Sequence, residues 1–102
     1  MYYNNESPTT LLVQFRKGAK ELIRVHTLIL QSKVGTPQYE RSVEENREFF
    51  NIELKGLYDD VMKKTERFSE MLRNSFQADL DKSYLNYLNF YTSRFLAEES
   101  QA

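Results

Sequence analysis

Helix-breaking residues are so scarce in this chain that they leave little choice of fold. Only three glycines and two prolines occur among its 102 residues. Both prolines follow a hydroxyl residue, in Ser7-Pro8 and in Thr36-Pro37. Such pairs are typical of helix starts, because the hydroxyl can cap a backbone N–H and proline at the first helical position removes no hydrogen bond. Long β-branched runs and Asn-Gly hairpin dipeptides are absent, so the sequence predicts an all-α protein.

Apolar residues recur every three or four positions in the first segment, which predicts a helix over residues 8–32. The apolar stripe of this helix consists of Leu12, Phe15, Ala19, Leu22, His26 and Ile29. Gly18 lies inside the helix, where glycine costs about 1 kcal/mol relative to alanine. Neutral drift and the close approach of a neighbouring helix are the two explanations for it.

The middle segment keeps a helical period over residues 37–73. One helix of that length would span about 55 Å, which is long for a chain of this size. The alternative is a pair of helices that break near Gly56. Polar residues at Asn46 and at Lys64-Thr65 also interrupt the apolar stripe.

A last helix is predicted over residues 75–97, where Asn74 and Gln77 have the spacing of a capping box. Its apolar stripe consists of Leu80, Tyr84, Tyr87, Leu88, Tyr91 and Phe95. Short connections between helices favour antiparallel neighbours. The prediction is therefore a single domain over residues 1–102, folded as an antiparallel up-and-down bundle of three helices, or of four if the middle segment breaks. An elongated helical hairpin that dimerises is the competing architecture.

Few of the residue types that carry catalysis or bind metals are present. The chain has no cysteine and a single histidine, His26. Zinc sites need three or four ligands, and dinuclear iron sites in helical bundles use paired Glu-x-x-His motifs, which this sequence lacks. Neither a Gly-x-Ser-x-Gly elbow nor a glycine-rich phosphate loop occurs. We therefore expect no enzyme, no catalytic residue, no metal and no cofactor, and we interpret His26 as a buried, hydrogen-bonded residue.

Charge and hydropathy limit where in the cell the protein is expected and which class of partner it is expected to bind. No apolar run reaches the ~18 residues that a membrane span needs. The first six residues lack the basic and apolar parts of a signal peptide. We therefore predict a cytoplasmic protein without a membrane partner. The net charge of −1 makes general nucleic-acid binding the less favoured alternative, because such proteins usually carry a basic footprint.

The last predicted helix is apolar over more of its circumference than a surface helix requires, because Leu85 and Phe90 lie away from its main stripe. It either occupies the centre of the bundle or faces a partner protein or a second copy of the chain. Tyrosine suits an interface, since its ring is apolar and its hydroxyl tolerates a wet rim. The predicted partner-binding residues are Tyr84, Tyr87, Phe90, Tyr91 and Phe95.

A basic stripe on the first helix is the second candidate surface. Its members are Arg16, Lys17, Lys20 and Arg24. Arg16, Lys20 and Arg24 stand four residues apart and so lie on one side of the helix. A solvated face, contact with an acidic protein surface and phosphate binding are the three interpretations. Residues 1–33 carry five Lys/Arg against two Glu, whereas the remaining residues carry nine against thirteen acidic residues, so this basic segment can lie against later acidic ones or against an outside partner.

The opening of the first helix resembles the flagellar secretion chaperones of the FliS type. The residues that carry the resemblance are Ser7-Pro8-Thr9-Thr10-Leu11-Leu12, Phe15 and Gly18-Ala19, and later Leu57-Tyr58-Asp59. Arg16-Lys17 stands where that family usually has Tyr-Asp, and the stretch between the two matching segments is shorter than in the family. The resemblance implies a small cytoplasmic antiparallel helical bundle that holds the C-terminal part of flagellin before export.

Together these patterns predict a non-enzymatic helical adaptor or chaperone that binds another protein or a second copy of itself, as a homo-oligomer or a hetero-complex. One alternative is a small regulator of the phage or plasmid type that contacts nucleic acid, or a nucleic-acid enzyme, through the basic first helix. Another is a structural subunit of a larger assembly, in which the long middle segment is a strut.

Overall fold

A computed structural model describes the backbone of residues 7–101 and the side chains of residues 7–93. This part of the chain contains three helices and no strand: α1 over Pro8–Gln31, α2 over Tyr39–Lys63 and α3 over Glu70–Gln101. Each helix packs against both of the others. The predicted all-α class is confirmed. Over the described residues, none of the helices has the combination of length and apolar character that a membrane span requires.

The start of α1 follows the sequence prediction. The Ser7 hydroxyl accepts a hydrogen bond of 3.1 Å from the backbone N–H of Thr10, and Pro8 occupies the first turn. A cap of this kind stabilises a helix by about 1 kcal/mol. The helix then continues without interruption to Gln31.

The second proline does not begin a helix, so the predicted start at Pro37 was wrong. The hydroxyl of Thr36 donates to the carbonyl of Lys33 at 2.6 Å, so it closes a turn and does not cap α2. Gly35 supplies the positive φ of 82° that this turn requires. The helix begins at Tyr39, and Gln38 before it makes no side-chain capping bond.

The break in the middle segment lies at residues 64–69 and not near Gly56, and the helix predicted to reach Arg73 ends at Lys63. The chain turns at the polar pair Lys64-Thr65, where the apolar stripe is interrupted. Thr65 is buried, and its hydroxyl donates to the carbonyl of Met62 at 2.6 Å.

The last helix begins five residues before its predicted start at residue 75. The Ser69 hydroxyl accepts a hydrogen bond of 3.2 Å from the backbone N–H of Leu72, which makes Ser69 the cap of α3. The guanidinium of Arg73 donates to the carbonyls of Thr65 and Glu66 and ties the new helix to the turn before it. The predicted capping box at Asn74 was therefore wrong, because that residue lies inside the first turns of α3.

The buried core draws on all three helices. Its apolar members are Leu11, Phe15, Ala19, Ile23, Leu30, Val43, Phe50, Leu54, Val61, Phe76, Leu80 and Tyr91. On α1 the buried face is rotated from the predicted stripe. Leu11, Ile23 and Leu30 are buried, whereas the predicted Leu12 and Leu22 are only partly buried and the predicted Ile29 is exposed.

A polar cluster joins the three helices inside this core. The Nδ1 of His26 lies 2.7 Å from Oδ1 of Asn46, which can only accept, so Nδ1 carries the proton. The Asn46 amide nitrogen donates to the carbonyl of His26 at 3.2 Å and to the hydroxyl of Tyr91 at 2.9 Å. The Nε2 of His26 lies 3.4 Å from a carboxylate oxygen of Glu53. The prediction of a buried, hydrogen-bonded His26 is confirmed.

Gly18 marks the close approach of α2. A Cβ built on Gly18 would lie 2.6 Å from Cδ2 of Leu57, whereas a Cβ on Gly56 would meet nothing within 4 Å. We expect Gly56→Ala to raise the free energy of unfolding by about 1 kcal/mol, which is the helix propensity gained. Gly18→Ala should give less than that gain, because the methyl groups of Leu57 must move to make room for the new Cβ. Urea denaturation of the two variants measures the difference.

Changing Gly18 and Leu57 together provides the control. In a Leu57→Ala background the obstacle is removed, so Gly18→Ala should recover the full propensity gain of about 1 kcal/mol. Equal gains for Gly18→Ala and Gly56→Ala in the otherwise unchanged chain would show that Leu57 does not constrain this position.

Candidate protein-binding groove

An open groove runs between α1 and α3 on the side of the bundle away from α2. It has a volume of about 530 Å³ and is lined by Lys20, Ile23, Arg24, Thr27, Leu28, Gln31, Tyr87 and Phe90. An adjoining hollow of about 280 Å³ shares Tyr87 and Phe90 and adds Arg16, Ser83 and Asn86. We call the two together the α1–α3 groove. From Arg16 to Gln31 it follows α1 for about 22 Å, or about four helical turns.

Apolar and aromatic side chains form the floor and walls of the α1–α3 groove. Ile23 belongs to the buried core. The half-buried Tyr87 packs edge to face on Phe15, with 6.3 Å between the ring centroids. Leu28 and Phe90, on opposite walls, remain 53% and 52% exposed. Burying these two side chains against another molecule would release apolar surface from water, which is the main favourable term in association.

The edge of the α1–α3 groove is positively charged. Arg16, Lys20 and Arg24 line it and are exposed, and no Asp or Glu lines either hollow. Glu21 forms an ion pair with Arg24, with Nε and Nη2 at 3.0 and 2.5 Å from its two oxygens. This pair raises the pKa of Arg24 and lowers the pKa of Glu21. The predicted Lys17 is exposed but does not line the groove.

The predicted aromatic residues of α3 separate into different environments. Tyr87 and Phe90 line the α1–α3 groove. Tyr84 is partly buried against Tyr58 of α2, with 5.3 Å between the ring centroids. The predicted Phe95 lies outside the residues whose side chains are described.

Tyr91 belongs to the core, which corrects its assignment as a partner-binding residue. It is 1% exposed and stacks on Phe50 with ring centroids 4.1 Å apart. Burial raises the pKa of its hydroxyl to about 12. A side chain held in this way cannot contact a partner of the folded bundle.

The structure brings together two surfaces that the sequence predicted separately, the basic stripe of α1 and part of the aromatic stripe of α3. It also adds residues that the sequence analysis missed, chiefly Leu28 and Thr27. The spacing could have identified Leu28, because it continues the four-residue series of Arg16, Lys20 and Arg24. The hydroxyl oxygen of Thr27 is the one buried side-chain polar atom without a hydrogen-bond partner in the described part of the chain, and only the fold reveals that.

No group of three or more His, Asp and Glu side chains in the described residues is placed to hold a metal ion. With its apolar walls and cationic edge, the α1–α3 groove presents the chemistry of a recognition surface. Comparison of the chain with protein-family models, with curated proteins and with solved structures found no match.

Proposed function

We propose that this chain is a non-enzymatic, cytoplasmic helical protein that acts as an adaptor or chaperone by binding a helix of another protein, or of a second copy, in the α1–α3 groove. The observation that carries the proposal is the groove itself. Two half-exposed apolar side chains, Leu28 and Phe90, stand on its walls beside three cationic side chains.

An antiparallel up-and-down bundle is the architecture we infer for this function. Contacts between α1 and α2 join Gln14 with Lys64 and His26 with Asn46, so the residue numbers rise on one helix as they fall on the other. In such a bundle three helices leave a shallow groove between the first and the third. A fourth helix laid there would complete the four-helix arrangement that is common among bundles.

The chemistry of the groove defines its best ligand. Helix-binding grooves bury the apolar stripe of an amphipathic helix and select its flanks by charge. Here the apolar walls require a stripe at three- and four-residue steps. The cationic edge formed by Arg16, Lys20 and Arg24 favours Asp and Glu beside that stripe. A duplex nucleic acid would bind the cations through its phosphates but would leave Leu28 and Phe90 exposed to water.

The resemblance to FliS-type chaperones supports a specific version of the proposal, in which the bound helix belongs to the C-terminal part of flagellin. Chaperones that hold an export substrate cover apolar helices before they assemble, and an open groove suits that task. A purified C-terminal flagellin segment is the probe for this version. If it does not bind while another captured protein does, the adaptor function stands and the export version is wrong.

Tagged protein used as bait in extract of the native host, with mass spectrometry of what is retained, tests the proposal. We expect a stoichiometric protein that survives nuclease treatment. In purified form this protein should bind Phe90→Ala about tenfold or more weakly than the unchanged chain, because a buried aromatic anchor commonly contributes more than about 1.4 kcal/mol. Lys20→Glu should weaken it similarly.

Leu85→Ala is the matched control, since Leu85 lies on the same helix, is 53% exposed and does not line the groove. It should bind as the unchanged chain does. Equal binding by Phe90→Ala would place the contact elsewhere and refute the groove. Loss of the partner on nuclease treatment would favour the regulator that contacts nucleic acid.

A further inference from the structure

The outward face of α2 has the complementary chemistry to the α1–α3 groove. Phe49 and Ile52 are 59% and 68% exposed there, although both are large and apolar. With Glu45 and Gly56 they recur at steps of three and four residues and so share one side of the helix. Glu48 and Asp59 stand beside them and are exposed. We call this surface the α2 outer face.

The charges of the two surfaces are opposite. Helix α2 carries seven acidic against four basic residues, and α1 carries four basic residues against one acidic residue. The ion pairs Arg24–Glu21, Arg41–Glu45 and Lys55–Asp59 each lie within a single helix. Arg41 and Lys55 therefore offset Glu45 and Asp59 on α2 itself, and the negative charge left beside Phe49 and Ile52 is chiefly that of Glu48.

We propose that the α2 outer face of one copy docks into the α1–α3 groove of a second copy, so that the chain associates head to tail. The proposal rests on the function proposed for the groove, helix binding, and names the helix. Phe49 and Ile52 would fill the space between Leu28 and Phe90, while Glu48 meets Lys20. At Gly56, where a Cβ would meet nothing within 4 Å, the second copy can approach the backbone closely.

Charge also disfavours the two symmetric contacts, in which one outer face packs on another or one groove packs on another. Two α2 outer faces would bring the Glu48 carboxylates of both copies together, and two α1–α3 grooves would bring Arg16 and Lys20 of both copies together. Like-charge contacts disfavour a pairing by several kcal/mol. Groove against outer face is the arrangement in which apolar surface and charge both match.

The positions of the two surfaces have a geometric consequence. The groove lies between α1 and α3, away from α2, and the outer face of α2 points away from both of those helices. The two surfaces are therefore on opposite sides of the bundle, and one copy can use both at once. An interface of this heterologous kind builds open chains, or closed rings where the rotation allows.

Sedimentation velocity of the full chain tests the inference through two variants. The groove variant is Lys20→Glu with Phe90→Ser, and the face variant is Phe49→Ser with Ile52→Ser. The unchanged chain should show a sedimentation coefficient that rises with loading concentration and falls with added salt. Each variant alone should associate at least about tenfold more weakly.

Mixing the two variants gives the decisive result. Each retains the surface that the other lacks, so an equimolar mixture should form a one-to-one dimer that grows no further. Should either double variant lose helicity, the charge variants Lys20→Glu and Glu48→Lys take their place. Because they restore opposite charges across the same contact, their mixture should associate more strongly than either alone.

Three outcomes would overturn the inference: an unchanged chain that stays monomeric at every concentration, a face variant that still associates, or a mixture that stays monomeric. A monomeric chain whose captured partner still depends on Phe90 leaves the proposed function intact and removes only this inference. A chain for which neither association nor partner binding depends on Phe90 removes both.

Discussion

Asn46→Leu is expected to lower the free energy of unfolding by about 3–5 kcal/mol, a large share of the 5–15 kcal/mol typical of a domain. The amide of Asn46 joins the imidazole and the backbone carbonyl of His26 to the hydroxyl of Tyr91. Leucine has the same branched shape and number of side-chain heavy atoms, although it is larger, and it makes none of these bonds. Each buried polar group left without a partner costs about 1–3 kcal/mol. Urea denaturation followed by circular dichroism measures the loss.

Asn51→Leu is the control, because Asn51 is exposed on the same helix. The same substitution there should change the free energy of unfolding by no more than about 0.5 kcal/mol. If Asn46→Leu cost no more than its control, the polar cluster would not contribute to stability in the way its geometry implies.

Two adjacent aromatic residues of α3 should respond in opposite ways. Tyr91→Ala is expected to lower the free energy of unfolding by about 3–5 kcal/mol, because it opens a cavity beside Phe50. It also removes the hydroxyl partner of Asn46. Phe90→Ala should cost less than about 1 kcal/mol, since Phe90 is half exposed, yet it should abolish most of the binding in the groove. Thermal denaturation and partner titration, run on both variants, separate the two roles.

Tyr91→Phe refines the result for Tyr91. It keeps the ring that stacks on Phe50 and loses only the hydroxyl, so about 1 kcal/mol is expected. A Tyr91→Ala variant that remained as stable as the unchanged chain would contradict the assignment of Tyr91 to the core. It would return this residue to the binding surface that the sequence predicted.

Local chemistry made some elements of the fold predictable. Ser7 and Pro8 indicate the start of α1, because capping depends only on residues within one turn. The burial of His26 followed from its place in an apolar series. The turn at residues 64–69 was harder, since it contains neither glycine nor proline. It is held by Thr65, Ser69 and Arg73, whose hydrogen bonds close only after the chain has turned.

The residues on each wall of the groove were predictable, but the packing of the two walls against each other was not. Periodicity placed Lys20 and Phe90 on surfaces of their own helices. Whether those surfaces face one another depends on the rotation of each helix about its axis, which tertiary packing sets. On α1 three of the six predicted stripe residues, Leu12, Leu22 and Ile29, lie beside the buried face and not on it, so the edge of that face could not be located. The same uncertainty on α3 assigned Tyr91 to a surface.

The two connections between helices differ in what a change of chain length would disturb. Residues 64–69 carry a buried threonine, a helix cap and the carbonyls that Arg73 binds, so an added residue there would displace all of them. In the first connection Val34 and Gly35 are exposed, and Gly35 has open space around its Cβ position. Exposed turns of this kind tolerate inserted sequence. A reporter or an additional domain thus has its natural point of entry between α1 and α2, at Val34 and Gly35, just beyond Gln31 at the end of the groove.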